Sequence, residues 1–329
     1  MTTYTKIVDP NNGPGTDYTS LSAWEAGEQT LYNSGDIAIA DCRRTGSTKD
    51  TTHVKISGWT TGVIPKIVVH SDYRHEGKIA DQRADGNYIY WVRVTYYFSD
   101  RTIVSATIPD CEFIGLAVEQ AQTGNYDANC VANNRGTTRD CLLVYNYQYT
   151  SNFTKYGLNL EASPGYVNRA YNNIIVNISG TKGTTRGITG NYGTSYIYNN
   201  TIKGFDKGIA CSSSSHLKNN ISVDCNTDFN SSPTNSASNV SSDATAPGSG
   251  SVTGKTAYTD YFVDPDTDLH LKDTANNLFG ITGTDLSGTF TDDIDGDTRS
   301  VWDVGADEYT QGGVLPILLN AAQPTRVIQ

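Results

Sequence analysis

Asn172-Asn173-Ile174-Ile175-Val176, Asn199-Asn200-Thr201-Ile202 and Asn219-Asn220-Ile221-Ser222-Val223 repeat one short phrase three times in the middle third of the chain. Each is preceded by a glycine and an apolar residue, at Gly157-Leu158, Gly187-Ile188 and Gly208-Ile209. The repeats recur at irregular periods of roughly 20 to 30 residues, carry short β-branched runs and lack helical periodicity, which indicates strands stacked in a solenoid. A parallel β-helix is expected. Asparagine suits the tight corner between two strands of a coil, because it tolerates the left-handed backbone and its amide can bond the asparagine one coil above. Polar turns of an ordinary β-sandwich are the alternative.

Composition agrees with an all-β chain. Only 18% of residues are charged, and one Met stands against 31 Gly and 21 Tyr, so long amphipathic helices are poorly supplied. The 329 residues could fill two or three compact domains, or one elongated stack in which each coil packs only on its neighbours. A net charge of −11 without clustered Lys and Arg argues against nucleic acid and anionic membrane as partners. Cys42, Cys111, Cys130, Cys141, Cys211 and Cys225 form no CxxC pair and fall mostly in apolar runs, as buried thiols do. Met1 to Lys6 lacks the apolar stretch of a signal peptide, so folding in a reducing cytoplasm is expected. No run reaches the roughly 18 apolar residues of a membrane span, so no membrane insertion is expected.

Five segments are expected. Residues 1–35 form an N-terminal cap, with Ser20 before a short helix whose Leu21 and Trp24 face inward. Residues 36–230 form the body of roughly seven to nine coils. Residues 231–256, rich in Ser, Gly and Asn, read as a loop or linker, with the last regular coil before them. Residues 257–311 form a closing module and 312–329 an extended tail.

Two phrases carry a family resemblance. Tyr18-Thr19-Ser20-Leu21, followed by Ala23 and Gly35-Asp36-Ile37-Ala38-Ile39-Ala40, resembles the start of right-handed parallel β-helix proteins of the pectate-lyase-like superfamily. That resemblance implies a capping helix over the first coil, which a stack needs because a bare end coil exposes unpaired backbone and apolar core. Phe262-Val263-Asp264-Pro265, Asp268-Leu269-His270-Leu271, Asp293 to Arg299 and Asp303-Val304-Gly305-Ala306-Asp307-Glu308 resemble the C-terminal closing module of bacterial surface and phage β-helix proteins. One departure is Ala275-Asn276-Asn277-Leu278-Phe279-Gly280, where that family carries a Ser-Pro-x-x-Asp-x-Gly step.

Residues able to carry chemistry are scattered. Asp81, Asp85, Asp110, Glu112, Glu119, Asp127, Asp140 and Glu161 do not recur in a pattern that pairs two carboxylates, so no catalytic residue is assigned. His53, His70, His75, His216 and His270 form no HxH or HExxH pattern, which argues against zinc, and the resemblance of the closing module implies a structural role for His270. Asp293, Asp295 and Asp297 alternate around Gly296 and could hold a structural calcium, without the spacing of an EF-hand loop. A purely structural role is the alternative, with Arg299 pairing Asp303 or Glu308. In the run Tyr88 to Tyr97, alternation places Val92 and Val94 on one face and Trp91, Arg93 and Tyr97 on the other. Such an outward stripe could bind a glycan, with aromatic faces stacking on sugars and Arg donating to hydroxyl or acidic groups, unless a loop or subunit covers it.

The tail is unexpectedly apolar. Val314, Leu315, Pro316, Ile317, Leu318, Leu319, Val327 and Ile328 follow a Gly312-Gly313 hinge and are expected to dock into a partner protein, or to fold back on the body. Together with the resemblance to phage proteins, these features lead to the expectation of a virion component, such as a head spike, decoration protein or tail spike. It would be held through the tail by other virion proteins, with host surface polysaccharide as a ligand and a homotrimer as its assembly. A polysaccharide lyase or glycoside hydrolase of the β-helix type and a bacterial surface adhesin are the alternatives.

Overall fold

The computed structural model describes residues 1–95, 102–121, 129–146, 154–160, 164–272 and 282–309. Among these residues three parallel sheets of nine, seven and seven strands form, and from Ile64–Val69 to Val240–Ser241 successive strands fall in successive sheets. One coil places Val167–Tyr171 in the nine-stranded sheet, Ile174–Asn177 in a second and Thr185–Gly190 in a third. The next repeats the circuit at Thr194–Tyr198, Thr201–Lys203 and Lys207–Cys211, and every strand pairs in parallel with its counterpart one coil below. The fold is a parallel β-helix. Strands of the nine-stranded sheet beginning at Ile37, Ile64, Glu112, Thr137, Val167, Thr194 and His216 mark seven coils between residues 37 and 229.

The repeated Asn-Asn phrase forms the corner between the nine-stranded and second sheets, and its two residues do different work. The first occupies left-handed backbone, with φ of 51° at Asn172, 50° at Asn199 and 57° at Asn219. The second turns its amide inward. Asn173 Nδ2 donates to Asn200 Oδ1 at 2.8 Å, Asn200 Nδ2 to Asn220 Oδ1 at 3.0 Å, and Asn220 Nδ2 to Asn239 Oδ1 at 3.0 Å. Each Oδ1 also accepts the backbone N–H of the residue one coil below, all at 3.1 Å. These amides are fully buried, so the ladder satisfies groups that water cannot reach.

The ladder runs past the expected end of the body. Asn239 belongs to residues 231–256, where a linker is expected, yet Asn235–Ala237 and Val240–Ser241 pair in parallel with the preceding coil. Bridges from Ala237 to Ser249 and from Val240 to Val252 begin one further turn. Ser, Gly and Asn are small enough to make tight coils here, so their abundance reflects corners, not flexibility.

Glycine in the Gly-apolar step has a packing cause. A Cβ on Gly157 or Gly187 would lie 2.4 Å from Cγ2 of Ile175 or Ile202, and one on Gly208 would lie 1.9 Å from Ser222 Oγ. The strand is free of side chains there because residues of the second sheet fill the interior.

At the N-terminal end the helix Leu21–Glu28 starts at Ser20, whose side chain accepts from Ala23 N at 3.1 Å. Leu21 and Trp24 are fully buried against the first coils. At the other end residues 257–272 and 282–309 fold back over the outside of the second sheet. Phe262, Leu269, Leu271, Ile294 and Val304 pack there on Leu142, Val144, Ile174, Val176 and Ile221. This explains why those strands read as unbroken apolar runs: Leu143 and Ile175 face the interior while Leu142 and Ile174 face the module.

Candidate functional site

The outer half of each Asn-Asn phrase holds the closing module. Asn199 Nδ2 donates to Asp303 O and Gly305 O at 2.9 and 3.1 Å, Asn172 Nδ2 to Asp292 O at 2.8 Å, and Asn219 Nδ2 to Thr284 O at 2.8 Å. Arg299 is the hub on the module side. Its Nη2 donates to Asn172 Oδ1, Gly305 O and Ala306 O at 3.0, 3.0 and 2.7 Å. Its Nη1 pairs with Glu308 at 3.5 Å, one of the two expected partners, and meets Asp303 through the backbone carbonyl at 3.2 Å.

The stripe expected to bind glycan is differently exposed. Val92 and Val94 face the interior, and Trp91 and Arg93 face outward as alternation requires. Trp91 nevertheless is only 3% exposed: Ile79 and Ala80 lie beside it, the Lys49 ammonium sits 5.5 Å over its ring, and its Nε1 donates to Ala80 O at 2.9 Å. Arg93 pairs with Glu119 at 2.8 Å. Trp91 and Glu119 border a shallow cavity of about 210 Å³, and at 3% exposure the indole offers no face there on which a sugar could stack. Tyr97 lies outside the described residues, as do Asp127, Glu161, residues 275–280 and the whole tail with Val314, Leu315, Pro316, Ile317, Leu318, Leu319, Val327 and Ile328.

Asp293, Asp295 and Asp297 are not brought together around one point. Asp293 is buried and its carboxylate already accepts three backbone N–H groups, from Asp295, Asp297 and Glu308 at 3.0, 2.9 and 3.0 Å. It shapes the turn. Asp295 instead turns to His270, and Asp297 is exposed.

The outer face of the nine-stranded sheet is open at Arg169 and partly open at Tyr196, His216 and Lys218, while Tyr171 and Tyr198, each 5% exposed, lie under Leu286, Phe290 and Trp302 of the closing module. Strict register stacks Glu112, Thr137, Arg169, Tyr196 and His216 in one column, and Arg139, Tyr171, Tyr198 and Lys218 in the next. Tyr196 lies 4.6 Å from the His216 ring, and the Arg169 guanidinium lies over Tyr196 at 6.0 Å. Tyr171 and Tyr198 stack at 5.6 Å, and Phe290 of the closing module stacks on Tyr171 at 5.1 Å. Beside that contact a groove of about 370 Å³ opens, lined by Arg139, Arg169, Tyr171, Phe290, Thr291 and Asp292. The alternation in Arg169-Ala170-Tyr171 and in Tyr196-Ile197-Tyr198 signalled this face, since Ala170 and Ile197 are fully buried while Arg169 is exposed.

A second cleft, of about 570 Å³, separates the loop around Arg74 to Arg83 from the closing module. His270 sits at its edge with Nδ1 on Asp268 and Nε2 2.8 Å from Asp295 Oδ2. Burial opposes a charged imidazole, but hydrogen bonds to Asp268 and Asp295 overcome it and push the His270 pKa up to about 10. Asp307 lies behind it, buried, accepting Leu271 N at 2.7 Å; burial pushes its carboxyl up to about 7 despite the His270 charge. The neighbouring His75 is buried and held down to about 3 by burial and by Arg74. It accepts Gly77 N at 3.1 Å and contacts Asp140 O at 2.9 Å, a structural arrangement.

No known protein family, curated protein or solved structure matches this chain.

Proposed function

We propose that this protein is a rigid attachment rod that binds surface polysaccharide along the nine-stranded sheet. The observation that carries this reading is the outward register of Arg169, Tyr196 and His216, one per coil, with Lys218 beside them, while Tyr171 and Tyr198 are buried under the closing module and back the column. Tyrosine rings match the apolar side of a pyranose, while Arg and Lys donate to its hydroxyl and acidic groups. Strand spacing of about 4.8 Å repeats those contacts along the stack, which suits a chain of sugars. Arg135 over Tyr166 at 3.8 Å extends the same chemistry to the sheet margin.

The setting we propose is a virus particle, with the protein as a spike or decoration component held through residues 312–329. Support comes from the likeness of residues 262–308 to the closing module of pectate-lyase-like phage and bacterial surface proteins. Binding of the full chain to immobilised surface polysaccharides tests the ligand. Tyr196→Ala and Arg169→Ala are expected to weaken it at least tenfold with unchanged circular dichroism, and undiminished binding refutes the assigned face. Release of soluble sugar in the same assay would move the reading to a polysaccharide-cleaving enzyme. Immunogold labelling of particles and cells from one culture tests the setting, and label confined to cell envelopes refutes it.

A further inference from the structure

A ring nitrogen of His270, a carboxylate oxygen of Asp295 and one of Asp307 all lie within 4.8 Å of one another, the one such cluster of His, Cys and acidic groups among the described residues. The three come from separate parts of the closing module, so their convergence is a product of the fold. Two further features bear on a ligand. Asp268 holds His270 Nδ1, leaving Nε2 directed at Asp295. A carboxylate on the far ring nitrogen is how metal-binding histidines are commonly oriented. Gly77, at φ +66°, keeps the space beside the ring clear: a Cβ there would lie 2.6 Å from His270 Nε2 and 2.5 Å from Cε1. The cleft of about 570 Å³ reaches His270 and Asp295 and supplies an entry path and room for a water ligand.

We infer that His270, Asp295 and Asp307 form a binding site for a divalent transition-metal ion of the zinc type, oriented by Asp268. One imidazole nitrogen and two carboxylate oxygens suit zinc, and a fourth, open position faces the cleft. Donors around a tetrahedral zinc stand about 3.3 Å apart, so binding must draw together donors that lie up to 4.8 Å apart and remove the proton between His270 and Asp295. The ion would tie strand Asp268–Leu271 to the turn at Asp295 and the strand end at Asp307, fastening the closing module on itself. This inference is independent of the glycan-binding reading.

Calorimetric titration of the full chain with zinc chloride, after treatment with EDTA and dialysis, tests it. One saturable site per chain is expected. Asp268→Asn, which removes the orienting carboxylate and no ligand, is expected to weaken the site about 10- to 100-fold. Asp295→Asn is expected to abolish saturable binding, and Asp297→Asn, in the same turn but outside the cluster, to leave it unchanged. Should Asp295→Asn fail to fold by circular dichroism, the Asp268→Asn affinity decides. No binding to the wild-type chain, equal affinity in folded Asp268→Asn and wild type, or binding of calcium in preference to zinc overturns the assignment.

Discussion

Asn200→Ala tests the amide ladder. The side chain makes five hydrogen bonds: Nδ2 donates to Ala170 O, Tyr198 O and Asn220 Oδ1, each at 3.0 Å, and Oδ1 accepts from Asn173 N at 3.1 Å and Asn173 Nδ2 at 2.8 Å. Alanine removes all five and leaves the Asn173 N–H in a site that no water reaches. An orphaned buried donor costs about 1–3 kcal/mol, and the lost bonds and cavity bring the expected total to about 3–5 kcal/mol. That is a large part of the roughly 5–15 kcal/mol that holds a typical domain folded. Asn199 next to it provides the comparison. Glycine there relieves a φ of 50° while losing two bonds to the closing module and the one accepted from Asn219 Nδ2, which keeps Thr284 O as a partner, so Asn199→Gly should cost about 1–2 kcal/mol.

Asn200→Asp sharpens the test, because it keeps the acceptor and removes the donors. At neutral pH a carboxylate would face Ala170 O, Tyr198 O and Asn220 Oδ1, three acceptors with no proton to share. Its folded-state pKa should therefore lie far above the unfolded value of about 3.9, so the variant is least destabilised below that pH and loses stability as pH rises. Guanidinium unfolding followed by circular dichroism at pH 4 and pH 7 measures both effects. An Asn200→Ala cost no larger than that of Asn199→Gly, or an Asn200→Asp cost that does not grow from pH 4 to pH 7, would refute the ladder's assigned role.

Gly187→Ala is expected to prevent soluble expression or to lower stability by about 3 kcal/mol or more, since the new methyl meets Ile202 Cγ2 at 2.4 Å and the Gly208 carbonyl at 2.7 Å. Arg299→Lys should release the closing module, seen as new proteolytic cleavage between residues 257 and 309, because lysine cannot supply the fork that spans Asn172, Gly305 and Ala306. In metal-free buffer the unfolding midpoint should fall between pH 6 and pH 9. The folded pKa of His270 is raised to about 10, so its contribution is complete below about 6.5 and is lost as pH rises through about 10. Asp307, raised to about 7, acts in the same direction between about 4 and 7, and His270→Gln should flatten the profile. A midpoint that rises with pH would contradict both assignments.

The body was legible in the chain because its corners and core steps repeat with a chemical reason. Asn173, Asn200 and Asn220 announce the ladder, and Gly157, Gly187 and Gly208 announce the crowded interior. Asn239 was the fourth rung, 19 residues after Asn220, but Ser238 takes the corner position usually held by Asn and the Ser/Gly background hides the phrase. The His270, Asp295 and Asp307 cluster was not legible, since the residues are 25 and 12 positions apart and meet only because residues 257–272 and 282–309 fold back on themselves.

Trp91 shows how far alternation alone carries. It places a side chain on the outer face of a sheet without saying whether that face meets water. The missing term was present elsewhere in the same sheet. Leu142-Leu143-Val144 and Ile174-Ile175-Val176 are apolar on both faces, and a strand apolar on both faces is buried on both. Register then covers Trp91 as well, because it pairs with Ala117, which pairs in turn with Leu142. The nine-stranded sheet gives the opposite pattern: Arg169, Tyr171, Tyr196 and Tyr198 alternate with Ala170 and Ile197, so one face is core and the other is left for solvent, the closing loop or a ligand. An extended ligand contact on this rod therefore belongs where polar and aromatic residues alternate with apolar ones over several coils. A single aromatic strand inside a sheet of otherwise continuous apolar runs marks a buried seam.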